Sequence, residues 1–109
     1  MTRDILGGFE YQILSVLLQQ PRDAYGVTIA DRIKERAGRE VSIGALYTAL
    51  DRLKRKGFVE SWWGEPTAER GGRRKRHYRI RAPGIEALQR MDAMLTHFAG
   101  AGTPTPQGA

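Results

Sequence analysis

Residues 41–61, "VSIGALYTALDRLKRKGFVES", carry the pattern that decides the fold. Apolar side chains recur in this stretch at intervals of three and four residues, which predicts one buried face of an α-helix. They are Ile43, Leu46, Leu50 and Leu53. On the opposite face Gly44 and Ala45 leave the first turn almost bare, and four cations lie between residues 52 and 56. This pattern fits an ordinary amphipathic helix with a solvated polar face, and it also fits a helix that enters a groove of DNA.

Two further helices are predicted before this one. Apolar periodicity indicates them at residues 8–20 and 25–37, and Pro21 ends the first. Gly38 is expected to end the second in a left-handed conformation, which glycine adopts without strain. Ser42 is suited to cap the third helix because its hydroxyl can accept a hydrogen bond from an unpaired backbone N–H. Two helices joined by such a short turn make a helix-turn-helix.

The sequence changes character after Gly57. Residues 58–63, "FVESWW", and residues 75–81, "KRHYRIR", predict two strands, and the "GEPTAERGGRR" between them predicts a long basic tip. Trp62 and Trp63 are adjacent on the first strand, so we expect one to pack on the core and the other to be partly exposed. A helix-turn-helix followed by such a hairpin is a winged helix, and the combination is far more specific than either half.

A last helix is predicted to begin near Pro83, because proline suits the first turn of a helix. Its apolar face consists of Leu88, Met91, Leu95 and Phe98. One small domain cannot cover a face of this length, and an exposed apolar face of this kind is typical of an interface between copies of a chain. We therefore expect a homodimer held by this helix.

The predicted fold class is mainly α with a small β-hairpin: a winged helix-turn-helix followed by a C-terminal dimerisation helix. We assign residues 1–81 to the winged helix-turn-helix and residues 82–99 to the dimerisation helix. Residues 100–109, "GAGTPTPQGA", lack periodicity, and we predict that they form a disordered tail.

The charge of the chain is concentrated in the hairpin. The 109 residues contain 18 Lys and Arg and 12 Asp and Glu, a net charge of +6. Residues 64–81 hold seven basic and two acidic residues, so most of the excess lies there. Such a concentration predicts contact with a polyanion. An acidic membrane surface is disfavoured because it usually requires a basic amphipathic helix.

Several classes of protein are disfavoured by the composition. The chain has no cysteine and two histidines, so disulfides and thiolate metal sites are excluded and we expect no metal ion or other cofactor. No nucleophile elbow, phosphate-binding loop or paired-carboxylate motif is present, so we expect no enzyme. We see no secretion signal and no apolar run long enough to span a membrane, and we expect a cytoplasmic protein.

With these elements in place, the chain resembles the PadR family of bacterial transcriptional regulators. The resemblance rests on "GALYTALDRLKRKGFVES" at residues 44–61 and "GGRRKRHYRI" at residues 71–80, followed by a helix that opens on "APG". It implies a DNA-binding repressor that forms a homodimer through its terminal helix, and the single helix there resembles the short members of the family. Ala45 and Thr48 stand where relatives often have Thr and Pro, which alters the turn that faces DNA.

The candidate DNA-binding residues lie in the third helix and the hairpin. They are Ser42, Gly44, Ala45, Tyr47, Thr48, Arg52, Arg73, Arg74, Lys75 and Arg76. Small side chains at the helix start let the backbone approach DNA closely, and the methyl group of Thr48 suits a thymine. The hairpin cations are expected to contact phosphates.

Three residues of the third helix have two interpretations each. Ser42 either caps the helix, which we favour, or bonds a phosphate. Tyr47 either reaches a phosphate with its hydroxyl or packs as a half-buried ring. Asp51 either accepts from a cytosine amino group or pairs with Arg55 one turn on, which we favour.

The predicted function is a sequence-specific regulator, a repressor that binds a palindromic operator in double-stranded DNA as a homodimer. The alternative is a winged-helix module that binds a protein partner or RNA. The sequence leaves open whether a small-molecule effector regulates it.

Overall fold

The computed structural model describes residues 6–22, 24–65 and 74–102 of the chain. Its helices are α1 (Gly8–Gln19), α2 (Gly26–Ala37), α3 (Ile43–Arg55) and α4 (Ala82–Gly102), and its strands are β1 (Val59–Trp63) and β2 (Arg76–Ile80). The fold is thus mainly helical with an antiparallel hairpin, as the sequence predicts.

The helix ends follow local chemistry that the sequence carries. The backbone N–H of Ala45 donates to Ser42 Oγ over 3.1 Å, so the predicted cap of α3 is formed. Gly38 ends α2 with a φ of 64°, the left-handed conformation expected of it. Glu10 accepts from the N–H of Gly7 at the start of α1.

One core lies between the first three helices and the hairpin. Side chains of these three helices with no exposed surface are Ile13, Leu14, Ile29, Leu46, Leu50 and Leu53. Phe58, Val59 and Tyr78 close the core from the hairpin, each almost completely buried. Ile43, which we expected on the buried face of α3, is instead 45% exposed, because the first turn of the helix projects past the core.

The hairpin is held at both edges of β2. On one edge β2 pairs with β1, with Val59 opposite Ile80 and Trp63 opposite Arg76. On the other edge the N–H of Tyr78 donates to the carbonyl of Ala24 over 2.9 Å. The segment before α2 therefore acts as a short third strand, which fixes the hairpin next to the helix-turn-helix.

The expectation that one tryptophan packs on the core is wrong. Trp62 is 42% and Trp63 57% exposed. Trp62 is on the outer face of the hairpin, where its ring stacks on His77 with the centroids 5.6 Å apart. Trp63 is on the inner face, but it lies at the end of β1, beyond the helices that form the core.

The apolar face of α4 is divided between two environments. Leu88 is 3% exposed and belongs to the core of this chain, so its assignment to an exposed dimer face is wrong. Met91 is half-buried against the same core. Leu95 and Phe98, by contrast, are 47% and 65% exposed. The helix continues to Gly102 rather than ending at residue 99, and the rest of the predicted tail lies outside the described residues.

Candidate DNA-binding surface

The outer face of α3 carries almost no long side chains in its first two turns. Gly44, Ala45 and Thr48 are all exposed there. The hydroxyl of Thr48 donates to the carbonyl of Gly44 over 2.9 Å, so its methyl group is the part that a base would meet. A methyl group and two small residues form a surface that can lie close to a groove, and the methyl group suits contact with a thymine. Arg52 is exposed one turn further on.

Tyr47 lies on the side of α3 that faces the hairpin. Its ring is 6.4 Å from the ring of Tyr78, and its hydroxyl oxygen would lie only 2.5 Å from a Cβ atom at position 26. Gly26 therefore makes room for Tyr47 at the start of α2. The ring packs and is still 37% exposed, so its contact with a phosphate stays a prediction.

Three described cations of the hairpin lie at the loop end of its strands, around the aromatic rings there. Arg74 is exposed, whereas Lys75 and Arg76 are half-buried. The ammonium of Lys75 donates to the hydroxyl of Tyr25 over 3.3 Å and lies 4.5 Å from the centre of that ring. The predicted contact of Arg73 lies outside the described residues.

Arg76, for which the sequence predicts a phosphate contact, is already bonded within the hairpin. Its Nε and Nη2 atoms donate to Ser61 Oγ over 3.2 and 3.1 Å. Its guanidinium carbon lies 5.5 Å from the ring centre of Trp63 and 6.0 Å from that of Tyr78. Arg76 is therefore held by the inner face of the hairpin, and β-strand alternation determines this, because Arg76 shares a face with Tyr78.

A pocket of about 410 Å³ lies between α3 and the loop end of the hairpin strands; we call it the wing pocket. Four aromatic residues line it, Tyr25, Tyr47, Trp63 and Tyr78, together with Val27. Its charged residues are Arg74, Lys75, Arg76 and Asp51. Burial raises the pKa of Tyr78 above its ordinary value of 10.0, so this phenol is neutral at physiological pH.

The model of the PadR-like transcriptional regulator family matches residues 13–90. The chain belongs to this family. The matched residues run from within α1 to the first half of α4, so they include α3 and the hairpin. PadR proteins are transcriptional regulators that bind DNA, so the chain is a DNA-binding regulator and not an enzyme.

Solved structures agree with this assignment. A PadR-like transcription factor from Bacteroides fragilis has 26% identity and a TM-score of 0.70, with 85% of this chain and 84% of that chain covered. A PadR family regulator from hypervirulent Clostridium difficile R20291 has 27% identity and a TM-score of 0.72, with 87% and 94% covered. The comparison with curated proteins found no match.

Two sequence interpretations of this PadR-like surface require correction. The ion pairs between described residues do not include Asp51 with Arg55, and Asp51 lines the wing pocket instead. Lys56 is one of the four cations at the end of α3 for which the sequence predicts a face open to solvent or to DNA, but it donates to both carboxylate oxygens of Glu10 over 3.1 Å. Periodicity cannot predict this contact, because Glu10 lies in α1 and Lys56 follows α3. The tertiary packing of the helices leaves Glu10 only 6% exposed.

No group of three His, Cys, Asp or Glu side chains that could hold a metal ion occurs within residues 6–22, 24–65 and 74–102. Over the same ranges, no helix is both long and apolar enough to cross a membrane.

Proposed function

We propose that this PadR-like regulator is a cytoplasmic repressor that binds a palindromic operator as a homodimer. The observation that carries the proposal is the proximity of two features: the bare outer face of α3, and the cations at the loop end of the hairpin strands, which line one pocket together with α3 residues. A helix with small side chains can approach base edges, while neighbouring cations contact phosphates and fix its position.

The roles within this surface follow from the side chains. Gly44 and Ala45 allow close approach of the backbone, and Thr48 contributes a methyl group for a thymine. We assign phosphate contacts to Arg52, Arg74, Lys75 and Arg76, with Arg73 as a further candidate. Ser42 caps the helix, so its contribution to DNA binding is secondary to that role.

The homodimer is supported by the second half of α4. Met94, Leu95 and Phe98 are exposed there on one helix, and water-exposed apolar side chains of this size are typical of a protein interface. Tyr11 of α1 donates a hydrogen bond to Asp92 of α4. This contact fixes α4 to the core of its own chain immediately before the exposed segment. A two-fold axis through α4 would give two recognition helices for two half-sites.

The experiment that tests the proposal is footprinting on the DNA around the gene, followed by affinity measurement on the protected site. We expect two protected half-sites about one helical turn apart, ~34 Å. A scrambled duplex of equal length and composition is the control, and we expect it to bind at least a thousandfold more weakly.

The same measurement tests the alternative function. A module that binds a protein partner or RNA would give equal affinity for the protected and scrambled duplexes. That result would contradict the operator-binding proposal, and it would do so whatever the oligomeric state.

A further inference from the structure

The wing pocket has a composition that DNA-backbone contact does not account for. Phosphates require cations and hydrogen-bond donors, yet four of the residues that line this pocket are aromatic. Trp63, the most exposed of them, leaves 57% of its surface open, and Tyr47 leaves 37%. Exposed ring faces at the wall of a pocket are surfaces on which a flat group can stack.

The cations of the pocket have no acidic partner among the described residues. The ion pairs there do not include Arg74, Lys75 or Arg76. Instead, Lys75 is bonded to a phenol and Arg76 to a serine hydroxyl. Three cations and one carboxylate give the pocket lining a net charge of +2. This charge matches a phosphate monoester, which carries about −1.5 to −2 at neutral pH.

The single carboxylate and the cations of the pocket come from different elements of the fold. Asp51 belongs to α3, whereas Arg74, Lys75 and Arg76 belong to the hairpin. A carboxylate accepts hydrogen bonds only, so it favours a ligand that has N–H groups at this end. The pocket thus offers an acceptor from α3, cations from the hairpin and aromatic rings from the start of α2, from α3 and from the hairpin.

We propose that the wing pocket binds a nucleoside monophosphate, with the phosphate on Lys75 and Arg76 and the base stacked next to Trp63 and Tyr47. A base with N–H donors, guanine above all, uses Asp51 as well. The volume of about 410 Å³ lies within the range of small-molecule sites.

Binding of the nucleotide in this pocket would also regulate DNA binding. This part of the proposal rests on the proposed function. Lys75 and Arg76 are candidate DNA contacts, and the pocket lies between the two elements that would hold DNA. A bound phosphate neutralises these cations and occupies the space between α3 and the hairpin. The nucleotide therefore competes with the operator.

The test is calorimetric titration of the full chain with guanosine 5′-monophosphate in the absence of DNA. Two fragments serve as matched ligands: guanosine lacks the phosphate, and ribose 5-phosphate lacks the base. We expect the nucleotide to bind at least about tenfold more tightly than either fragment, because each fragment loses a charged or stacking contact. If the nucleotide binds no better than ribose 5-phosphate, the pocket only attracts anions and the proposal is wrong.

Variants locate the binding site. Arg76→Gln keeps a donor for Ser61 but removes the charge, and Trp63→Leu removes the ring; we expect either to weaken nucleotide binding about tenfold or more. Arg81→Gln removes an exposed cation outside the pocket and should leave binding unchanged. Circular dichroism establishes that each variant is folded. Equal binding by all four proteins would overturn the assignment.

DNA measurements separate this proposal from the proposed function. Saturating nucleotide is expected to weaken operator binding at least tenfold in the wild type and much less in Arg76→Gln. Operator binding without nucleotide, with no detectable nucleotide binding, would leave the repressor proposal standing and assign the pocket to the DNA backbone instead. Nucleotide binding without any selective DNA binding would leave the pocket assignment standing and contradict the repressor.

Discussion

The helices α3 and α4 differ in how much of their apolar face is buried within the chain. In α3, Leu46, Leu50 and Leu53 are completely buried within the chain, and its outer face is small and polar. In α4, Leu88 is buried, but Leu95 and Phe98 two and three turns later remain open to water. A helix whose apolar face is already covered can offer only its polar side to a partner, whereas one with apolar surface left over needs an apolar partner. The comparison supports the proposal that α3 binds DNA and that α4 binds a second copy of the chain.

The largest expected effect comes from removing the partner of α4. Leu95→Asp combined with Phe98→Asp should give a monomer with unchanged helix content, because neither side chain belongs to the core. Operator affinity should fall about a thousandfold, since two half-sites bound by separate monomers lose the advantage of linkage. Light scattering, circular dichroism and fluorescence anisotropy measure the three quantities.

The matched control is Gln89→Asp with Thr96→Asp, which adds the same charge at exposed polar positions of α4. This variant should remain a dimer. A wild-type protein that is monomeric at micromolar concentration and still binds its operator tightly would refute the role of α4.

A second prediction compares one leucine from each helix. Leu50→Ala should lower the free energy of unfolding by about 2–5 kcal/mol, because it leaves a cavity in the core. Leu95→Ala should change the stability of the monomer by less than about 0.5 kcal/mol, as for surface substitutions in general. Urea unfolding measures both changes, at a protein concentration low enough for dimers to dissociate. Similar losses in the two variants would show that the second half of α4 packs on its own chain.

The outer face of α3 is tested by Gly44→Arg. No heavy atom lies within 4 Å of a Cβ at this position, so the fold should tolerate the change. The long side chain should prevent close approach and lower affinity for the operator about a hundredfold, while the added charge maintains affinity for scrambled duplexes. Gly44→Ala, which adds one methyl group, should have a much smaller effect. Retained selectivity in Gly44→Arg would mean that another element reads the bases.

The difference between α3 and α4 also explains how far the sequence could be interpreted. Period, caps and turn residues are local, so the four helices, the Gly38 stop and the Ser42 cap could be predicted. How much of a periodic face the rest of the chain covers is a property of the tertiary structure. For this reason the periodic pattern assigns Leu88 and Ile43 to the wrong environments, although both lie on the predicted faces.

The same limit applies to the charged residues of the surface. A basic tract is visible in the sequence, but the partners of each cation are not. The contact between Lys56 and Glu10 joins residues 46 positions apart, and the placement of Arg76 next to Trp63 depends on the strand register. The wing pocket could not be predicted, because its lining comes from the start of α2, from α3 and from both strands.

Unlike the residues of α3, the cations of the hairpin should contribute equally to the affinity for all duplexes, whatever their sequence. Arg74→Ala should reduce the slope of log affinity against log salt concentration by about 0.9 if one phosphate contact is lost. The ratio of operator to scrambled affinity should stay nearly constant. Arg36→Ala, an exposed cation in the last turn of α2, should leave the slope unchanged. An unchanged slope in Arg74→Ala would place this residue away from the DNA backbone.

The smallest effect separates the two functions open to Ser42. Because its hydroxyl caps α3, Ser42→Ala should lower the free energy of unfolding by about 1 kcal/mol. Ser42→Asp should restore that stability, since aspartate caps helices as well as serine does. At the edge of the DNA-facing surface, however, the new carboxylate repels phosphates, so Ser42→Asp should bind the operator more weakly than Ser42→Ala. Chemical denaturation and anisotropy measure the two effects. If Ser42→Asp matched the wild type in both, the start of α3 would lie far from the DNA backbone, and the assignment of its outer face to DNA would fail.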